Sequence, residues 1–425
     1  MKNAPKTATE LNLMQGSPPA AEDRVTVTNW YVGKPIRWSF KNIPQLIPCA
    51  EAHRGRGDVS ALPWKEPSPG SDPSTSSGGD SLHALTYTNH LGESITIGEM
   101  LNLSYTDGIV VLHKGAIVHE EYRDMHDYQR HLLQSVSKSL TACLLGVFVG
   151  QGLIDVKQTV AYYLPEFSES AYGDATLQQV LDMAVSVQYN EDYQDMLSDV
   201  NLHTIAGGWY GHVERTGAFK DVPESLYTYL PTLRAKQAYP HGDRFHYVSA
   251  NTDVLGLVIE RVGKRPFTQL FQDHIWQHMG AEENAAMTVD PWGCAFPCGG
   301  FNVTLRDLAR FGLMVLGDGW YNGRQIVPAS FFADTRQNGD KAAWQRGEGY
   351  TELFPNGCYR NQFWVTGNDH GAFFGIGIHG QFLYIDPAAK VVIAKFSSHP
   401  IADDYDVAAN TLLGFAAICH HFHSA

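Results

Sequence analysis

The chain has 425 residues, 44% hydrophobic and 12% aromatic, more material than one hydrophobic core usually organises and enough for two lobes. Its 31 basic residues stand against 45 acidic ones, a formal charge of −14, which repels nucleic-acid backbones and anionic lipid at long range, so no nucleic acid and no membrane is expected as a partner. Met1 to Asp23 is polar rather than ordered as an export signal, and the six cysteines are scattered rather than spaced as a disulfide framework, so a cytoplasmic protein with free thiols is expected.

Residues 1–80 carry few periodic apolar runs, and Ser68 to Asp80 is dense in Ser, Gly, Pro and Asp; this part reads as an extension wrapping the body. Ile109-Val110-Val111-Leu112, the tripeptide His113-Lys114-Gly115 and Ala116-Ile117-Val118 predict a hairpin. Next comes the apolar stretch Leu140 to Val149, preceded by Ser135-Val136-Ser137-Lys138. Helical patterning continues at Thr176 to Met183, Ser225 to Ala235, Asn251 to Val262 running on through Phe267 to Met279, and Thr304 to Leu316. Between Asn190 and Phe219 lies an irregular stretch with Glu191, Asp192, Asp195 and Asp199, the kind of long loop that often lines a site. Strands return at Phe363 to Val365, Gln381 to Ile385 and Val391 to Phe396, and a last helix is expected from Asp404 to Phe422. Strands on both sides of a helical middle suggest an α/β (α+β) architecture: an α/β lobe from residues 81–134 and 285–425, with an inserted helical lobe, residues 135–284.

Three stretches carry chemistry. Ser135 and Lys138 are three positions apart, so on a helix they share a face, and a lysine one turn away can serve as the base that a serine nucleophile needs. The alternative is that Ser135 caps the helix. Tyr247, in Tyr247-Val248-Ser249 ahead of the next long helix, can relay a proton; its alternative is a buried aromatic followed by a capping Ser249 or Asn251. Gly375-Ile376-Gly377-Ile378-His379-Gly380-Gln381 has the G-x-G-x-x-G spacing of a dinucleotide loop but runs into a strand instead of opening a helix, which excludes that reading. Alternating glycines there leave room for a ligand's backbone. No histidine pair with an acidic partner stands at helical ligand spacing, and Cys294 and Cys298 read as buried thiols of a loop, so no metal and no cofactor is expected.

In this order, the three stretches resemble the active-site elements of the serine β-lactamase and penicillin-binding superfamily, over roughly residues 85 to 420. Gly150 to Asp155, Tyr163 to Phe167 and Arg306 to Gly312 are similar to further segments of that superfamily. The third element makes the chain look closest to the class C-like esterase and 6-aminohexanoate-dimer hydrolase branch. The resemblance implies a β-lactamase-like fold, with an antiparallel sheet flanked by helices, and cleavage of a small linear amide or short ester. Ser249 stands where β-lactamases usually carry asparagine, and Gly375-Ile376-Gly377 where they carry Lys-Thr-Gly; the missing cation argues against penicillin as the main substrate.

The implied chemistry makes Ser135 the nucleophile, with Lys138 and Tyr247 sharing its proton and the N–H groups of Ser135 and Ile378 forming the oxyanion hole. Lys138, desolvated near a helix N-terminus, is expected to have its charged form disfavoured. Ser249, Gly377, His379 and Tyr193 are expected to bind substrate. Tyr193 would hydrogen-bond the leaving amide nitrogen, with Tyr189 as competitor for that role. Asp192, Asp195 and Asp199 are candidates for attracting a substrate ammonium, or simply a solvated charged loop. Two other readings are an acyltransferase using the same acyl-enzyme and a non-catalytic binding protein of the same fold; pairing as a homodimer is left open.

Overall fold

The computed structural model describes residues 4–65, 82–210, 217–236, 238–347 and 350–424; the expected loop from Ser68 to Asp80 lies outside them. The predicted hairpin is Thr106–His113 (β1) and Ala116–Tyr122 (β2). Lys114 and Gly115 join them with φ of 53° and 83°, the two left-handed residues of a tight turn whose twist matches the strands. Late in the chain come Cys358–Arg360 (β3), Phe363–Val365 (β4), Phe373–Gly377 (β5), Gln381–Asp386 (β6) and Val391–Ser397 (β7). All seven form one antiparallel sheet in the order β3-β4-β5-β6-β7-β1-β2. The two ends of the chain thus meet where β7 pairs with β1, Val391 opposite His113.

Five helices matter for the site and its surroundings: Ile97–Leu103 (α1), Val136–Gly150 (α2), Ser249–Gly263 (α3), Leu305–Leu316 (α4) and Tyr405–His423 (α5). Along β6 successive side chains go to opposite faces. A Cβ added at Gly312 of α4 would meet Leu383 and Ile385 at 2.9 and 3.4 Å, while Phe382 and Tyr384 pack on Phe415 of α5 with ring centroids 5.4 and 5.7 Å away. Helices therefore cover both faces, and every residue of β6 is buried, which is why its sequence does not alternate.

From Ser135 to Asn284 every regular element among the described residues is a helix. Two of them differ from the patterning. The expected helix at Ser225 to Ala235 is Leu226–Tyr229 followed by the tighter turn Leu230–Thr232, because Pro231 has no N–H to continue an α-helix. The long stretch from Asn251 to Met279 breaks at Lys264, which is left-handed (φ 53°), two residues before Pro266, and resumes at Phe267–His274.

Residues near the start of the chain do more than wrap the body. Trp30, Ile36, Phe40 and Ile43 are 1% exposed or less and join one apolar core that continues to Cys419. Buried Arg37 donates to Asp107 Oδ1 (2.8 Å) and Ser398 Oγ (2.7 Å). Cys49–Ala52 pairs with Ala285–Thr288, and Phe301–Val303 and His131–Leu132 complete a second, four-stranded antiparallel sheet. All six cysteines are unpaired, and no helix among the described residues is long and apolar enough to cross a membrane.

Candidate active site

The second sheet delivers the chain to α2. Leu133 N donates to the Phe301 carbonyl (2.8 Å) and Gln134 is left-handed, φ 49°, a strained step of the kind that functional turns retain. Ser135 then takes the N-cap position of α2 without making a capping hydrogen bond. Of residues 134 to 140 it is the one that is not buried. Its neighbours brace the helix: Ser137 Oγ accepts from Phe301 N (3.2 Å), and Ser139 Oγ donates to the Gln362 carbonyl (2.8 Å).

Lys138, 1% exposed, donates from Nζ to Ser135 Oγ (2.7 Å), Ser249 Oγ (3.2 Å) and the Cys298 carbonyl (3.0 Å). Three acceptors for three donors is the pattern an ammonium satisfies. Burial alone would push the amine toward neutrality, but the Glu191 carboxylate and the polar contacts with Tyr247 and Cys298 hold the charged form above the usual lysine range. The expectation of a charge disfavoured by desolvation is therefore corrected: the anion-capable groups come from chain segments far from α2, which local sequence does not reveal.

Tyr247 lies just ahead of α3, whose N-cap is Val248, so neither Ser249 nor Asn251 caps that helix. It interacts with both Ser135 and Lys138, and its ring centroid lies 5.1 Å from Lys138 Nζ. Burial pushes the phenol up and the Lys138 charge only partly offsets it, so the resting pair is ammonium and phenol. Trp364 stacks on the Tyr247 ring at 5.5 Å and Phe245 packs beside both.

The glycines of β5 serve a different purpose from the one expected. A Cβ at Gly375 would stand 2.9 Å from Ser139 Oγ, and one at Gly377 would stand 2.6 Å from the Leu133 carbonyl and 2.9 Å from Ser135 N. The room they leave is filled by the start of α2, and β5 lies between β4 and β6 rather than at a sheet edge. A lysine at 375 would collide with that helix. Gly377 and Ile378 do line the cleft with Ser135. His379 does not: at 3% exposure it turns into the aromatic rings of Tyr31 and Phe40, its Nδ1 lies 2.7 Å from the His399 carbonyl, and burial pushes it down to about 4. Its expected contact with substrate is corrected to a packing role.

On the irregular loop, Glu191 is the carboxylate that reaches the site. Its carboxylate accepts from Ser249 N (2.5 Å), Ser249 Oγ (3.3 Å) and the Tyr193 hydroxyl. Asp192, Asp195 and Asp199 instead accept from backbone N–H groups of their own loop, Gln194, Leu197 and Asn190. They form turns, and none of the three is among the residues that line the cleft. The Tyr189 hydroxyl lies 2.8 Å from His203 Nδ1. His203 Nε2 lies 2.8 Å from Asp253 Oδ2, and Asp253 Oδ1 accepts from Cys298 N (2.8 Å). Asp253 thus holds the backbone N–H of the same residue whose carbonyl accepts from Lys138.

Ser135, Tyr193 and Tyr247 open on a cleft of about 520 Å³. Phe245, Tyr350, Trp364 and Phe382 give it apolar lining, while Lys236, Arg244 and Arg346 with Asp403 and Asp404 give it charges of both signs. Sequence reasoning missed Glu191 as a site residue, and also Tyr31, which joins Ser135 and Lys138 around a small recess.

The chain is similar to known proteins along most of its length. The family profile described as Beta-lactamase matches residues 105–418. The 6-aminohexanoate-dimer hydrolase of Paenarthrobacter ureafaciens is 36% identical over 387 residues, 91% of either chain. A solved Bacillus anthracis protein assigned as a 6-aminohexanoate-dimer hydrolase superposes with a TM-score of 0.81 at 27% identity, covering 96% of this chain and 99% of its own. A penicillin-binding protein homologue from Caulobacter crescentus shares the fold at a TM-score of 0.54 and 16% identity, over 75% of this chain and 96% of its own.

Proposed function

This chain belongs to the Beta-lactamase family, and on that premise we propose that it is a serine hydrolase cleaving small linear amides, 6-aminohexanoate-oligomer-like amides among them, or short carboxylic esters through an acyl-enzyme on Ser135. One observation carries the reading. An uncapped serine at the start of α2 faces the cleft with Lys138 Nζ 2.7 Å from its Oγ and Tyr247 interacting with both.

Ser135 Oγ attacks the substrate carbonyl carbon as the Lys138/Tyr247 pair takes its proton. Because the resting pair is ammonium and phenol, it must first lose one proton, and the loss belongs to the pair rather than to either group. The carbonyl oxygen becomes an oxyanion held by the N–H groups of Ser135 and Ile378. Tyr247 returns the proton to the leaving nitrogen or oxygen, and water then releases the acyl group by the reverse steps. The Tyr193 hydroxyl donates its hydrogen bond to Glu191, so its oxygen is free to accept from the N–H of a scissile amide. The apolar lining suits methylene chains, and the charges of both signs suit a chain ending in an ammonium and a carboxylate. Gly375 leaves no lysine for a β-lactam carboxylate, so penicillin hydrolysis is not the main reaction of this reading.

Ser135→Ala tests it: kcat/KM for a short acyl nitrophenyl ester and for linear amides of 6-aminohexanoate falls by about 10³-fold or more, with circular dichroism unchanged. Full activity in a folded Ser135→Ala protein overturns the proposal.

A further inference from the structure

Strand β2 is the edge of the seven-stranded sheet, four strands from β5, and it carries side chains that the hydrolytic chemistry does not use. His119 and Glu121 are two residues apart on β2 and so project from one face. His83 Nε2 lies 2.7 Å from Glu121 Oε2, and His119 Nε2 lies 3.5 Å from the same oxygen. One ligand atom from each of the three residues falls within 4.8 Å of the others.

The surroundings are arranged around that oxygen. Arg123 Nε donates to Glu121 Oε1 (2.6 Å) and is itself held by Asn102 Oδ1 (2.6 Å), which fixes the carboxylate by one oxygen and presents the other. Gly98, in the first turn of α1, lets the His83 segment close in: a Cβ there would stand 3.3 Å from the His83 carbonyl and 3.5 Å from its Cβ. His119 is 3% exposed, and neither of its ring nitrogens has a hydrogen-bond partner. A buried imidazole whose Nδ1 has no partner and whose Nε2 meets Glu121 only at 3.5 Å calls for a ligand or a cost. His83 and Glu121 also border an open cavity of about 650 Å³, which gives solvent and ions access.

We propose that His83, His119 and Glu121 bind a first-row divalent transition ion, zinc in the first instance, with a fourth position open to water from the adjoining cavity. Two imidazoles and a carboxylate are a borderline nitrogen and oxygen donor set that suits zinc rather than calcium or magnesium. Tetrahedral zinc with bonds near 2.0–2.1 Å separates its ligand atoms by about 3.4 Å. The 3.5 Å between His119 and Glu121 already meets that spacing, and His83 has to draw back from a proton-bridged 2.7 Å contact by less than about 1 Å. Helical ligand spacing does not describe this set, because β2 presents its ligands at the strand spacing of two. An ion here ties the His83 segment to the sheet edge, a structural role remote from Ser135.

The test uses the full-length protein, stripped with a chelator and dialysed, with zinc and cobalt(II) as probes. The proposal expects one tightly bound zinc per chain, a rise in the thermal midpoint on adding it, and a tetrahedral cobalt(II) spectrum. His83→Ala, a partly exposed position, and Glu121→Gln each weaken zinc at least about 10- to 100-fold and abolish the rise in midpoint. His420, His421 and His423 near the chain end are the competing site. No tight zinc in the parent protein, or zinc that binds both variants as it binds the parent, overturns the proposal.

Discussion

At Ser135 two roles compete for one position, because the start of a helix is where serine caps and also where an active-site serine is placed. The absent capping bond and the 2.7 Å contact with Lys138 support the proposed catalytic role over the cap. The residues that meet here were legible from type and spacing: Ser135 and Lys138 by their one-turn offset, Tyr247 by its place ahead of a helix. Lys138's charge was not, since Tyr247, Cys298 and Glu191 raise it from outside its own helix. A base whose protonated form is favoured works better as pH rises. We expect kcat/KM to climb from pH 6 through pH 9 as the Lys138/Tyr247 pair loses its proton, and a profile already flat at pH 6 would contradict that protonation state. Tyr193, with its hydroxyl held by Glu191, should matter for nitrogen leaving groups: Tyr193→Phe is expected to lower kcat for a linear amide by about tenfold or more, a loss of about 1.4 kcal/mol, and to leave hydrolysis of a nitrophenyl ester nearly unchanged. Equal losses on both substrates would remove the assigned contact.

Elements were read well where one periodicity ran long enough. The β1–β2 hairpin, α4 with its Thr304 cap and α5 with its Asp404 cap all lie within a few residues of their patterns. The second sheet was not legible, because its strands are two to four residues long and too short for alternation to show. The glycines of β5 were found but misread, since nothing local says that a helix start rather than a ligand fills the space beside them. Gly377→Ala tests the corrected role. Its new Cβ would press on the Leu133 carbonyl and Ser135 N, both backbone, so the strand and α2 must part. A loss of about 1–3 kcal/mol in denaturant unfolding together with a large fall in kcat is expected, and unchanged stability and activity would show that β5 and α2 are not in register as described.

Over the whole molecule, the α/β lobe assembled from both chain ends and the helical middle followed from the order of patterns, whereas the N-terminal segment's place in the core did not. Its buried residues, Trp30, Ile36, Phe40 and Ile43, follow no single period, so composition alone marked them as a wrapping extension. One consequence is a buried aromatic cluster around His379, whose ring is held neutral down to about 4. The unfolded chain, with an ordinary histidine near 6.5, binds a proton first as pH falls, so the folded state loses stability between about pH 6.5 and 4, by about 3 kcal/mol in total. His379→Asn, which tolerates the left-handed backbone at φ 63°, should flatten that slope in urea titrations; an unaltered slope would assign the acid sensitivity to other groups.

Intact-mass spectrometry of the enzyme quenched during turnover of a slow acyl ester bears most directly on the Ser135 chemistry. A single acyl adduct that maps to Ser135, accumulates in the parent protein and is absent from Ser135→Ala is the predicted result. Turnover with no adduct at Ser135, or an adduct on another side chain that persists in Ser135→Ala, would contradict it.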